Sequence, residues 1–193
     1  GNSAPDYEKW AEPGYVWAWD AATGVTKTGY PLGPLDSGII SIGGGVTIGN
    51  DKLYALTQQK LWGWDIAGEN PQLLIGFPVD VTETAGLIGY VRLENGLIYW
   101  GGKVYFVSGD LRGDLEDMRS YLYVKNGVTG DEVWRKQLNQ GGGQTPAIWN
   151  GRVYVAGRTD GKIYCWDAET GADCANFPVD VTGNMRAMPI IQE

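Results

Sequence analysis

Cys165 and Cys174 are the two cysteines of this 193-residue chain, and they lie symmetrically about a turn centred between Glu169 and Thr170. If that segment folds back as a hairpin, the two thiols meet on paired strands and can oxidise to a cross-strand disulfide, which belongs to an oxidising compartment. The alternative is two reduced cysteines in an apolar interface. Two sulfurs make no zinc site without further ligands, and the chain has no histidine. That absence also removes Ser-His and Cys-His nucleophile systems and any imidazole base.

A second group of reactive side chains stands in Ser108 to Ser120. Asp110, Asp114, Glu116 and Asp117 are oxygen ligands that could hold Ca²⁺, although the Asp-x-Asp-x-Asp-Gly spacing of a calcium loop is missing. Arg112-Gly113-Asp114 has the form of an integrin-recognition tripeptide, so Arg112 and Asp114 are candidate ligand-binding residues; a solvated acidic loop is the plain alternative. The third group is aromatic: nine Trp and eleven Tyr against three Phe. Flat indoles stack on sugars, but repeated aromatics more simply pack neighbouring elements. Trp100, Trp149 and Trp10 fall outside the repeated positions and are the candidates for exposure and ligand contact. Asp80 and Asp180 share the hexapeptide Phe-Pro-Val-Asp-Val-Thr, which makes them structural hydrogen-bonding residues before any polar or metal ring. Gly43–Gly45 and Gly141–Gly143 lack the Lys-Ser/Thr of a phosphate loop and read as tight turns leading into strands.

The elements that must carry these groups repeat. "YVWAWDAATG", "KLWGWDIAG", "YLYVKNGVTG" and "KIYCWDAETG" place Asp20, Asp65, Asn126 and Asp167 before turns, at spacings of 45, 61 and 41 residues. An Asp or Asn side chain can accept from backbone amides two residues on, and Thr-Gly adds a hydroxyl and a residue that tolerates positive φ. Before each turn the residues alternate with period two, as in a strand. One face holds Val16, Leu61, Leu122 and Ile163; the other holds Trp17, Trp62, Tyr123 and Tyr164, then Trp19, Trp64, Lys125 and Trp166. Both faces are largely apolar, so sheets are expected to cover these strands on both sides. A second strand precedes three copies ("DKLYALT", "GKVYFVS", "GRVYVAG"), a short first strand such as "TPAIW" precedes that, and a fourth follows the turn. Four antiparallel strands per 40 to 60 residues is the period of a propeller blade.

These residues resemble the PQQ-like (quinoprotein-type) β-propeller repeat family. "RVYVAGRTDGKIYCWDAETGADCANFPV" follows that pattern almost throughout, and the Gly-Phe/Tyr-Pro endings are similar to FG-GAP-type blades. The resemblance, from Tyr15 to about Ile191, implies an all-β propeller of about four four-stranded antiparallel blades. It also brings up PQQ and calcium, but the family's dehydrogenases carry a vicinal Cys-Cys pair, calcium-ligating carboxylates and a catalytic Asp, to which no position here corresponds. No catalytic residue and no cofactor are expected.

Residues 1–193 read as one repeat domain, with 1–14 as an N-terminal arm or closing strand. The tail "AMPIIQE" lines up with a first strand, and Tyr7 aligns with Tyr154 in a second. Either the termini pair to close a four-bladed ring, or a second copy completes an eight-bladed one as a homodimer, or the chain belongs to a longer parent; an open array leaves raw edges. The net charge of −8 disfavours nucleic acid, and no apolar run reaches the ~20 residues of a membrane span. The segment "GNSAPDYEKW" lacks a signal-peptide pattern, as a mature secreted chain would. The leading reading is a noncatalytic extracytoplasmic binding or scaffold module with a protein or glycan partner. A carbohydrate-binding, lectin-like propeller is the alternative, and a quinone-dependent dehydrogenase fragment is the third reading.

Overall fold

A computed structural model describes residues 14–35, 45–57, 60–81, 96–110, 119–138, 144–157 and 160–181, with positions 183, 185 and 189. Fifteen strands are defined: β1 Gly14–Val16, β2 Leu32–Leu35, β3 Val46–Gly49, β4 Lys52–Leu56, β5 Lys60–Asp65, β6 Gln72–Leu73, β7 Val79–Asp80, β8 Leu97–Trp100, β9 Lys103–Asp110, β10 Arg119–Asn126, β11 Glu132–Leu138, β12 Ala147–Trp149, β13 Arg152–Ala156, β14 Lys162–Asp167 and β15 Val179–Asp180. They form four antiparallel sheets in chain order: β1-β2, then β3-β4-β5 with β6 and β7 both on β5, then β8-β9-β10-β11, then β12-β13-β14-β15. Each of the last three is a meander of first, second, third and outer strand, as the repeat predicts. The expected closing strands near Tyr7 and along the tail lie outside the described residues, apart from Pro189.

The anchors build the turns. Asp167 Oδ1 accepts from the Glu169 and Thr170 amides at 3.0 and 2.8 Å and from the Thr170 hydroxyl at 2.8 Å. Asp20 repeats this with Ala22 and Thr23, and Asn126 with the amides of Val128 and Thr129. Gly24, Gly130 and Gly171 then take φ of +70°, +77° and +72°, where a Cβ would be strained.

Three cores fill the gaps between successive sheets. Val16, Leu32 and Leu35 meet Leu53, Ala55 and Trp64; Tyr54, Leu56, Leu61 and Phe77 meet Leu97, Val104, Phe106 and Tyr123. Tyr105, Val107, Leu122 and Leu138 meet Val153, Val155, Tyr164 and Trp166. Each fully buried side chain of this size contributes about 1.5–3 kcal/mol relative to exposure, so the stacking of sheet on sheet holds the array together.

Two features depart from the sequence reading. The outer strand is continuous only in the third sheet. In the second it breaks into β6 and β7, and in the fourth into an isolated Trp166–Asp173 bridge and β15, because Pro78 and Pro178 have no amide to donate and Gly76 and Asn176 turn through φ of +88° and +66°. The second departure concerns the tryptophans expected to be covered on both sides. Trp64 and Trp166 are 5% and 4% exposed, but Trp17 and Trp19 are 49% and 57% exposed. Trp64 rests on the sheet before it; among the described residues no sheet precedes the first.

Candidate functional site

The polar chemistry of the molecule concentrates where one sheet receives the turn of the next. The Tyr54 hydroxyl of β4 donates to the carbonyl of Gly127 at 2.6 Å, and the Tyr105 hydroxyl of β9 donates to the carbonyl of Ala168 at 2.9 Å. Gly127 and Ala168 each follow a turn anchor, so the two bonds are the same bond in successive repeats. Each tyrosine stands beside an aromatic of its outer strand: Tyr54 with Phe77 at 6.1 Å between ring centroids, Tyr105 with Trp134 at 6.2 Å. The pair forms a socket, and the anchor turn of the following sheet is the plug. At the socket of the third sheet Trp134 Nε1 donates to the Glu169 carbonyl at 3.2 Å, while Lys103 and Lys136 reach Glu169 and Asp173 at 2.6 and 3.1 Å. Burial pushes the Tyr54 and Tyr105 hydroxyls well above the ordinary tyrosine value. These hydroxyls serve as hydrogen-bond donors from one blade to the next.

The carboxylates are similarly committed. The Thr23 hydroxyl and amide hold the exposed Asp20 carboxyl below the usual range, and the Thr170 amide and hydroxyl do the same for Asp167. Asp180 accepts from Lys162 Nζ at 2.6 Å across the β14–β15 pair, the structural role foreseen for it. The Tyr164 hydroxyl donates to the Asp160 carboxylate. Among the described residues no three of Cys, Asp and Glu converge on a metal position.

Of the residues singled out by sequence, Trp100 and Trp149 end β8 and β12, each opposite the first residue of the second strand, and each is 36% exposed. They occupy the same place in successive sheets, an equivalence hidden because β3 ends in Gly49 there. Trp100 meets Tyr105 edge-on at 6.5 Å. Asp110 pairs with Arg119 at the foot of the extended β9–β10 hairpin; Arg112, Asp114, Glu116, Asp117 and Trp10 lie outside the described residues. Cys165 and Cys174 are joined, with Cα atoms 5.4 Å apart, across the hairpin of the fourth sheet. A groove of about 790 Å³ opens between the first two hairpin ends, lined by Thr23, Thr26, Tyr30, Ile66, Glu69 and neighbours. The tyrosine sockets escaped the sequence reading. Their signal, a Tyr at one position of three second strands, was visible, but nothing in it says what the hydroxyl bonds.

Residues 119–191 match the family model described as outer membrane protein assembly factor BamB. Within these residues the repeats are PQQ-like. The computationally designed Ika8 protein aligns at 20% identity and a TM-score of 0.64, over 95% of this chain and 49% of its own. The designed Ika4 protein aligns at 20% and 0.54, over 79% and 80%. The quinohemoprotein alcohol dehydrogenase ADHIIG from Pseudomonas putida HK5 aligns at 17% and 0.59, over 83% and 30%. This chain therefore spans about half of the Ika8 chain and less than a third of the dehydrogenase. Among curated proteins none matches the sequence. These likenesses establish the propeller-blade fold. The described residues do not fit a quinone site of the kind the resemblance brings up. Their two sulfurs are bonded to each other across a blade hairpin, and neither belongs to a vicinal pair.

Proposed function

We propose that this chain is a noncatalytic binding or scaffold module working outside the cytoplasm. The observation that carries the reading is the use made of its polar side chains. Tyrosine hydroxyls, which could otherwise do chemistry, lock one blade to the next, and the anchor carboxylates hold their own turns. What remains to meet a partner is a rigid surface, on which Trp100 and Trp149 recur at the same height on adjacent blades. The Cys165–Cys174 bond supports an oxidising compartment. The family description, an assembly factor of the outer membrane, supports a role in holding other proteins.

A photo-crosslinking residue placed at position 149 tests this reading in cells. The expected product is one defined protein adduct, reduced when Trp100 is replaced by Ala. A carbohydrate-binding module is the second reading, favoured by the half-exposed indoles themselves. A glycan array with tryptophan emission as a second readout separates the two: saturable binding that disappears in Trp100→Ala/Trp149→Ala replaces the first reading by the second. Addition of PQQ and Ca²⁺ is expected to leave the absorbance spectrum that of the free quinone.

A further inference from the structure

Among the described residues, the joint between the first two sheets lacks what fills the later two. At those later joints a phenol hydroxyl donates to the carbonyl after the next sheet's anchor, Tyr54 to Gly127 and Tyr105 to Ala168, with a second aromatic ring beside it. Gly127 and Ala168 are both buried. Ile66, one residue after Asp65, holds that place in the turn of the second sheet. It is only half-buried, and among the described residues no donor reaches its carbonyl. The turn glycines differ in the same way. An added Cβ would lie 2.6 Å from Val79 at Gly130 and 2.9 Å from Trp134 at Gly171, but at Gly68 it would meet nothing within 4 Å.

The first sheet supplies part of a socket. The Tyr30 amide donates to the Lys27 carbonyl at 3.2 Å, the turn in which Phe77 bonds Leu74 at 3.1 Å, so Tyr30 is the counterpart of Phe77. Tyr30 and Ile66 pack against one core. Lys27 bonds the Ala18 carbonyl two residues before the anchor, the place where Trp134 stands across from Val124 in the third sheet. A lysine therefore stands where the third sheet has an indole. The two sheets still touch at Gly29, where an added Cβ would lie 2.6 Å from Pro71 Cδ. Beside that contact lies the groove of about 790 Å³. Lys27 lines it from the first sheet and Glu69 from the second, and neither is in an ion pair. At the last joint the charges are matched instead, Lys103 with Glu169 and Lys136 with Asp173.

We infer that this groove binds a tyrosine side chain of a partner protein, carried on a segment with one acidic and one basic residue flanking it. The occupant follows from the two filled joints. Each turn carbonyl there receives a phenol, and Tyr30 offers the neighbouring ring. A tyrosine brings the donor that the Ile66 carbonyl lacks and a flat apolar face to lie against Tyr30 and Ile66. The flanking charges complement Lys27 on one wall and Glu69 on the other. The inference rests on the reading of the chain as a binding module, and it names the partner's chemistry on sheets other than those of Trp100 and Trp149.

Titration of the full chain with the capped tripeptide acetyl-Asp-Tyr-Lys-amide, followed by amide NMR, tests the inference. Shifts at the Ala67 and Gly68 amides are expected, with a dissociation constant on the order of 1 mM. The Phe version of the peptide, which lacks only the hydroxyl, should bind about 5-fold more weakly, and the Ala version should cause no shift. Lys27→Trp restores the third sheet's residue and should abolish the shifts. No shift at a peptide concentration about tenfold above the expected constant overturns the inference. So do equal affinities for the Tyr and Phe peptides, or shifts from the Ala peptide. Binding that appears only in Tyr7→Ala overturns it as well, because the groove then belongs to the chain's own tyrosine. If Lys27→Trp does not fold, the three peptides decide on the unaltered chain. The photo-crosslink at position 149 reads the binding-module proposal on another sheet, so an adduct there without shifts here strikes the tyrosine groove alone.

Discussion

The Tyr105 hydroxyl illustrates how a single atom joins two blades. It lies in a fully buried ring, donates to the Ala168 carbonyl at 2.9 Å, and has no water to turn to if that bond is lost. Tyr105→Phe leaves the carbonyl buried without its donor, and a loss of about 1–2 kcal/mol is expected in urea unfolding. The same hydroxyl, with that of Tyr54, predicts an alkaline limit. Both are held neutral by burial above the ordinary value of 10.0, so the unfolded chain releases these protons first. Their contribution is present in full below pH 10.0 and falls as the pH climbs toward the raised values. Absorbance at 295 nm should show two tyrosines ionising only together with unfolding. Asp20 and Asp167 act in the opposite direction, since their lowered values stabilise the fold above the usual carboxylate range and that support is lost on acidification.

At the scale of the element, the turns and outer strands set how closely blades approach. Gly76 has φ +88° and would place a Cβ 2.5 Å from the Thr129 carbonyl of the next blade. Gly76→Ala should therefore destabilise by about 2 kcal/mol or more, through both backbone strain and forced separation. Gly68→Ala is its control: nothing lies within 4 Å of the new Cβ, so its melting temperature should stay close to the parent's. The fourth blade's hairpin is clamped by the Cys165–Cys174 bond over a separation of nine residues. Reduction, or Cys174→Ala, frees that short loop in the unfolded state and should lower stability by roughly 2–3 kcal/mol, read from melting with and without reductant. The clamp suits a blade whose outer strand pairs through only two residues of β15.

For the whole molecule the governing fact is that, among the described residues, each sheet is covered by the one before it except the first. Trp17 and Trp19 on the first sheet are 49% and 57% exposed, and faces of this kind associate. Where association covers them, folding and association are coupled, and the melting temperature should rise with protein concentration by mass action. Scanning calorimetry over a hundredfold concentration range checks this; a constant melting temperature is the outcome expected where the pair stays bare. The same order of sheets explains why the exposed aromatics fall into two kinds. Trp17 and Trp19 repeat the stacked pairs Trp62–Trp64 and Tyr164–Trp166, whereas Trp100 and Trp149 repeat each other at the ends of β8 and β12.

Local chemistry was legible without coordinates. The Asp-x-x-Thr-Gly turns, the strand alternation and the cysteines set symmetrically about a turn each depend on residues within about ten positions, where backbone geometry leaves few options. The acidic loop, the Trp10 segment and both closing strands keep the status they had in the sequence. The sockets were not legible, because Tyr54 and Gly127 are 73 residues apart and their meeting depends on how sheets stack. The burial of the tryptophans was misread at one end for the same reason. Identical residues at identical turns are covered or bare according to which blade lies before them, and only the tertiary arrangement holds that information. The residue pattern alone thus determined a set of four-stranded blades and the turns that shape them. Which of their aromatic faces are filled, and which are bare, was decided by the packing of sheet against sheet.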